Sequence, residues 1–249
     1  MSYGPLCTEF YDADKPQAPA DAVAYYVGRA RGLGGAVLEP MCGSGRFLLP
    51  LARAGLDVEG VDAAPAMLDA CRRHALAEGL RPVLHHQALE ALALPRRYAM
   101  ALVPSGSIGL IEAPALDVAL RRIQRHLAPG GVLLLELLVL GAGDRVTTSE
   151  DPPRVVQVGA DGEITYRCRA HLAPDGASIR YDGHYEKREG GTLVGTETES
   201  LTLHLHHPEG LVERLVRNGF EHAGLRPGNE YPSLADSGCV LIEARVPRP

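Results

Sequence analysis

Eight residues, Val132 to Val139, form an apolar run broken only by the acid Glu136. A strand with one wet face alternates apolar and polar side chains. A run without a polar face must be covered on both sides, as in a parallel sheet flanked by helices. Shorter apolar runs recur at Ala36 to Glu39, Leu56 to Val61, Val83 to His86 and Tyr98 to Val103. Between them lie segments of helical periodicity. Asp21 to Arg31 sets Val23, Tyr26, Val27 and Ala30 on one face; Arg46 to Ala54 follows; Ala64 to Glu78 carries Met67, Leu68 and Cys71; Ala115 to Leu127 carries Leu116, Leu120, Ile123 and Leu127. Strand–helix alternation of this kind predicts an α/β fold with a doubly wound, mostly parallel sheet. The stretch before Ala20, with Pro5, Pro16 and Pro19, reads as turn-rich, and Pro129-Gly130-Gly131 reads as a turn.

Near Gly141 the pattern changes. Arg154 to Val158, Ile164 to His171, Ser178 to Lys187 and Thr192 to Leu205 alternate with period two and are separated by Gly and Asp turns. This predicts an antiparallel meander. Pro208 to Asn218 reads as a helix stopped by Gly219, and Val240 to Arg245 as a last strand.

With 249 residues the chain can bury a full core. The formal net charge of −6 argues against a nucleic-acid partner, whose binding is driven by basic patches. No apolar run is long enough to cross a bilayer, and Met1-Ser2-Tyr3-Gly4 does not open a signal peptide. The five cysteines are odd in number and widely spaced, which predicts reduced thiols in a cytoplasm.

The most informative segment is Val37-Leu38-Glu39-Pro40-Met41-Cys42-Gly43-Ser44-Gly45-Arg46-Phe47, where a strand hands over to a helix. Glycines there let the backbone approach a ligand, and the helix start presents free amides. Asp62 ends the next strand, 23 residues after Glu39. An acid at that place suits the hydroxyls of a ribose. Turn and acid together describe a site for an adenosine-containing cofactor. The dinucleotide pattern Gly-x-Gly-x-x-Gly fails at Leu48, and no Gly-Lys-Ser/Thr follows for a phosphate loop. Glu39, closing the first strand, suits a ligand with an ammonium head.

Glu39 to Arg46 resembles motif I of the class I S-adenosylmethionine-dependent methyltransferases. The likeness continues through Val58 to Leu68, Tyr98 to Leu110 and Leu127 to Leu133, and resumes weakly at Leu211 to Phe220. The meander before the last helix is similar to that of small-molecule members of the family. The resemblance implies a Rossmann-like, seven-stranded sheet with an antiparallel β extension. It divides the chain into an N-terminal lid and helix (1–34), a cofactor-binding core (35–140 and 207–249) and a β insertion (141–206) over the substrate pocket or at a dimer contact. S-adenosylmethionine would be the cofactor. Glu39 would serve its ammonium group, and Met41, Gly43 and their neighbours would line its methionine part. Asp62 would bind the ribose, and Ala63 and Met67 would flank adenine. Gln87, Ala88 and Leu89 would sit at the adenine edge, Val103 and Pro104 near the methionine end, and Tyr11 would reach the carboxylate. Met41 stands where motif I usually has its first glycine, and Ala88 where many relatives have Asp.

The implied activity is methyl transfer to an N or O atom of a small-molecule acceptor, by a monomer or homodimer, with no metal. Such a displacement needs a base only for a protonated acceptor. Glu199 or His184, on the meander, is the expected group. Asp182, Glu186 and Glu197 read mainly as solvated strand positions, Cys42 as a packing residue, and His204, His206 and His207 as surface or pocket-wall histidines rather than metal ligands. Three other readings are a non-catalytic S-adenosylmethionine-binding protein, a nicotinamide-dependent oxidoreductase and a nucleic-acid methyltransferase. The last lacks the Pro-Pro signature, since its loop would read Val103-Pro104-Ser105-Gly106-Ser107.

Overall fold

The computed structural model describes residues 3–140, 152–226 and 230–248. The chain opens with α1 (Pro5–Asp14) and α2 (Ala20–Leu33). It then alternates β1 (Val37–Pro40), α3 (Leu48–Arg53), β2 (Val58–Asp62), α4 (Pro65–Ala77), β3 (Val83–His86), β4 (Tyr98–Val103), α5 (Ala113–His126) and β5 (Leu127–Leu138). The antiparallel strands β6 (Arg154–Val158), β7 (Gly162–Leu172), β8 (Ser178–Glu189) and β9 (Thr192–His204) come next. The chain closes with α6 (Pro208–Arg217), β10 (Glu221–Leu225), α7 (Pro232–Asp236) and β11 (Cys239–Arg245).

Seven strands form one sheet in the order β10-β11-β5-β4-β1-β2-β3. Every pairing from β5 to β3 is parallel; β11 runs antiparallel to both β5 and β10. Each strand splits its side chains between two covered faces. Leu38, Leu133 and Leu135 pack under α5 and α6; Val37, Val132 and Leu134 pack under α2, α3, α4 and α7. The strand order reverses between β1 and β4, so the crevice at their C-terminal ends is where such sheets bind ligands.

β6 to β9 form a separate meander. The predicted 141–206 insertion begins partly outside the described residues. One face of the meander is covered by α1, through a cluster of Cys7, Phe10, Val158, Ile164 and Tyr185. The segment expected to be turn-rich is therefore largely helix. Pro5 is harmless in a first turn, where no N–H is needed, and the apolar face becomes stable only against the meander. The expected turn at Pro129-Gly130-Gly131 lies inside β5. Gly130 takes φ +74° and its N–H donates to Val246 O, so the register against β4 slips without a reversal. The short elements β10 and α7 carry no periodic signal.

The start of α1 is capped from a distant strand. Its flanking Gly4 offers no side chain, and Glu197 on β9 accepts from the N–H groups of Leu6 (3.0 Å) and Cys7 (3.1 Å). A Cβ on Gly4 would lie 2.4 Å from that carboxylate. Lys187–Glu9 and Arg154–Asp14 ion pairs fasten the rest of the helix. Replacing Glu197 by Ala orphans two helix amides. The expected loss is about 1 kcal/mol, a fall of roughly 2–4 °C in Tm for a chain of this size, with faster hydrogen exchange at Leu6 and Cys7. Unchanged exchange at those amides would show that the cap does not hold the helix.

Candidate active site

Between β1 and α3 the backbone turns through three left-handed residues: Met41 (φ +63°), Gly43 (φ +54°) and Gly45 (φ +90°). Met41 thus occupies a conformation natural to the glycine usually found there. At Gly45 no side chain fits, because a Cβ would stand 2.6 Å from Cys71 Sγ. Cys42 is buried and packs against Gly60 of β2, as a small core residue.

Asp62 organises this loop. Its carboxylate accepts from Gly43 N–H and Ala64 N–H, both at 2.8 Å. Two amides leave further lone pairs free for a ligand. Glu39, at the end of the neighbouring strand, is 2% exposed, and its Oε2 has no partner among the described residues. Burial, and then the charge of Asp62, push the Glu39 carboxyl well up. An orphaned buried carboxylate beside an amide-rich loop is suited to a cationic group.

A cavity of about 220 Å³ lies beside this loop. Met41, Asp62, Ala63, Gln87, Ala88 and Leu89 line it, with Tyr3 and Ile111 on further walls. Six of the expected cofactor residues thus share one space. The Gln87 amide is turned to its own loop, accepting from Ala93 N–H (2.8 Å) and donating to Ala93 O (3.2 Å). Met67 is 3% exposed and backs the loop, its sulfur 3.8 Å from where a Gly43 Cβ would stand. Val103 and Pro104 are buried at the end of β4. Tyr11, half-buried on α1, meets motif I from the other side. Burial raises its hydroxyl, and the nearby Arg46 charge opposes that shift.

A second cavity, of about 190 Å³, opens between α1 and the meander. It is lined by the aromatic residues Tyr3, Phe10, Tyr11, Tyr166, Tyr181 and Tyr185, by the acids Glu199 and Asp14, and by the cations Lys15 and Arg154. Tyr166 and Tyr185 stack at 4.7 Å, and Phe10 leans on both. Glu199 pairs across the ladder with Gly183, where a Cβ would meet the Tyr166 ring at 2.7 Å. Cys7 Sγ donates to Glu199 Oε2 at 2.7 Å and accepts from Tyr185 Oη at 3.2 Å. Glu199 Oε1 is buried and has no partner among the described residues. Burial raises this carboxyl and Glu197 adds to the shift, while the Cys7 hydrogen bond opposes it. Tyr3 lines both cavities.

His184, the other expected group, does not line this space. It pairs with Thr198, on the opposite face of the meander from Glu199, and its imidazole stands 3.5 Å from Glu186 in a half-exposed position. His206 Nε2 lies 3.0 Å from Ile111 O, and burial lowers its pKa. Among the described residues no three His, Cys, Asp or Glu side chains converge as metal ligands. Two residues of the site had no assigned role in the sequence. Arg46 was visible as the first residue after Gly45, whereas Tyr3 had no sequence signal at all.

Residues 37–131 match a family model described as a methyltransferase domain. The ubiquinone biosynthesis O-methyltransferase of Xanthomonas axonopodis pv. citri (strain 306) is 30% identical over 141 residues, 55% of this chain and 59% of that enzyme. The match thus spans little more than half the length of that relative. The dTDP-3-amino-3,6-dideoxy-alpha-D-glucopyranose N,N-dimethyltransferase of Streptomyces fradiae is 33% identical over 189 residues, 75% of this chain and 67% of that enzyme. Among solved structures, S-adenosylmethionine-bound CalS10 from Micromonospora echinaspora, an amino pentose methyltransferase of calicheamicin biosynthesis, is similar with a TM-score of 0.71. It is 19% identical over 98% of both chains, a likeness of fold.

Proposed function

The chain belongs to the class I S-adenosylmethionine-dependent methyltransferases, and we propose that it methylates a small molecule, at an amine nitrogen in preference to a hydroxyl oxygen. The observation that carries the choice is the buried Glu199 Oε1, without a partner among the described residues, in a cavity that six aromatic residues and a second acid, Asp14, share with Lys15 and Arg154. Ring faces and a carboxylate together attract a cationic amine, whereas a neutral alcohol gains little from them. The Streptomyces fradiae relative, an N,N-dimethyltransferase of an amino sugar nucleotide, points the same way.

The residues present fit the cofactor. Asp62 would take the ribose hydroxyls, Ala63, Ala88 and Leu89 the adenine, Glu39 the ammonium, and Tyr11 with Arg46 the carboxylate. S-adenosylmethionine, when bound, supplies a methyl group on a positively charged sulfur, a leaving group that needs no activation by protein. The work left to this chain is alignment, water exclusion and proton removal. α1 covers the second cavity, and Tyr3 stands where the acceptor space meets the cofactor space. An ammonium acceptor has no lone pair until Glu199 Oε1 takes one of its protons. The neutral nitrogen would then be held by the cavity with its lone pair free for the methyl group that the cofactor supplies. None of the five cysteines is joined in a disulfide among the described residues, which supports work in a reducing compartment.

Calorimetric titration with S-adenosylhomocysteine, with NADH as control, tests the cofactor reading. Micromolar binding of the first and none of the second is expected. Transfer of labelled methyl from S-adenosylmethionine should then favour amino sugars over their hydroxyl counterparts. Binding of NADH alone would return the chain to oxidoreductase chemistry. Binding without transfer to any amine or hydroxyl acceptor would mark a non-catalytic protein.

A further inference from the structure

One buried polar cluster has no part in this chemistry. Glu136, the acid in the apolar β5, is 4% exposed. Its Oε1 accepts from Tyr26 Oη on α2 and from Tyr231 Oη just before α7, each at 2.5 Å. Its Oε2 accepts from the backbone N–H of Ser105 at 2.7 Å. A carboxylate inside a sheet is costly unless every side of it is hydrogen-bonded, and here three separate segments converge to do so.

The third donor belongs to an unusual turn. Ser105 takes φ +59° and Gly106 φ +68°, two left-handed residues directly after β4. Serine disfavours that conformation, so something must hold it there. At Gly106 a Cβ would stand 3.2 Å from Leu138 Cβ, so the turn sits tight against β5. The turn leads into a short 3-10 segment, Ser107–Leu110, tied back by Ser107 N–H and Oγ to Pro104 O. Leu110 and Ile111, at its end, form a wall of the Asp62 cavity. Glu136 thus grips one end of a segment whose other end meets the ligand space.

We propose that Glu136 is a positioning residue: oriented by Tyr26 and Tyr231, its carboxylate pins the Ser105–Gly106 turn and thereby sets the Leu110–Ile111 wall against which the cofactor seats. The inference rests on the cofactor reading of the Asp62 cavity. Glu136→Gln exchanges an acceptor-only group for one bearing donors, which face donors already in place.

The test uses the full chain with four variants: Glu136→Gln, Tyr231→Phe, Ser105→Gly, and Glu136→Gln with Ser105→Gly. Three quantities are read: S-adenosylhomocysteine affinity, Tm, and hydrogen exchange at the Ser105 amide. Glu136→Gln should weaken affinity roughly 10-fold and speed Ser105 exchange. Ser105→Gly alone should change affinity little, because glycine takes φ +59° unaided. The double variant should recover most of the affinity while its Tm stays as low as that of Glu136→Gln. A purely structural role would move the two together. Should Glu136→Gln fail to fold, Tyr231→Phe keeps the carboxylate with two of its donors and should still speed Ser105 exchange. Unchanged exchange in Tyr231→Phe, undiminished affinity in Glu136→Gln, or a double variant no tighter than Glu136→Gln would each overturn the proposal. If the wild-type chain binds no S-adenosylhomocysteine, the cofactor reading and the seating role fall together. Ser105 exchange in the unliganded protein then decides whether Glu136 pins the turn.

Discussion

Glu199→Gln is expected to lower kcat/KM for the acceptor roughly 10²–10³-fold while S-adenosylhomocysteine binds as before. The substitution keeps the shape of the side chain and an oxygen toward Cys7, and removes the group that takes a proton. Glu199 lies in the cavity beyond Tyr3, apart from the residues that line the Asp62 cavity, so cofactor affinity should hold. The wild-type pH profile gives a second check. Burial raises the Glu199 carboxyl, so the acid limb of kcat/KM should lie above the usual carboxylate range. Below that limb the group is protonated and cannot accept, so activity falls as pH falls. Stability runs the other way. The folded state holds this proton more tightly than the unfolded chain, so Glu199 favours folding at low pH and opposes it as pH rises through the raised pKa. Glu199→Gln should therefore be no less stable at neutral pH, and a lost activity with an intact Tm is the expected pair. Full activity in this variant would remove Glu199 from the chemistry.

Asp62→Ala should fail differently. Two amides, Gly43 N–H and Ala64 N–H, lose their acceptor, and the ribose loses its partner. Hydrogen bonds to a charged group are each worth about 1.5–3 kcal/mol, so S-adenosylhomocysteine affinity should drop roughly 100-fold or more, with a lower Tm. Asp62→Asn, which retains one acceptor oxygen, should fall between. Wild-type affinity in Asp62→Ala would mean that the cofactor sits elsewhere. The two variants separate binding from transfer.

The sheet was legible because its strands are short apolar runs that end at Pro40, Asp62 and Val103, and those ends carry the glycine turn and both acids. The second cavity was less legible. Cys7 and Glu199 touch across 192 positions of sequence, and Tyr3 faces Asp62 only once α1 has folded onto the meander. Local periodicity contains no record of such distances. His184 shows a subtler limit. Counted outward from the Glu189–Thr192 pair, a regular ladder would set Glu199 opposite Asp182 and on the same face as His184. The register shifts between Lys187 and Arg188, where the β9 partner jumps from Gly195 to Leu193. One extra residue inverts the faces beyond it, so Glu199 meets Gly183 and His184 turns outward. A bulge of that kind leaves no signature in composition.

Held by Glu197 at its first turn, by Lys187 along its length and by Arg154 and His74 near its end, α1 closes the second cavity like a bolted cover. Bulky ligands pass beneath it only when those contacts let go. Weakening those contacts is then expected to speed ligand exchange, read as a faster dissociation rate. Looser fastening would trade a dry chamber for quicker exchange.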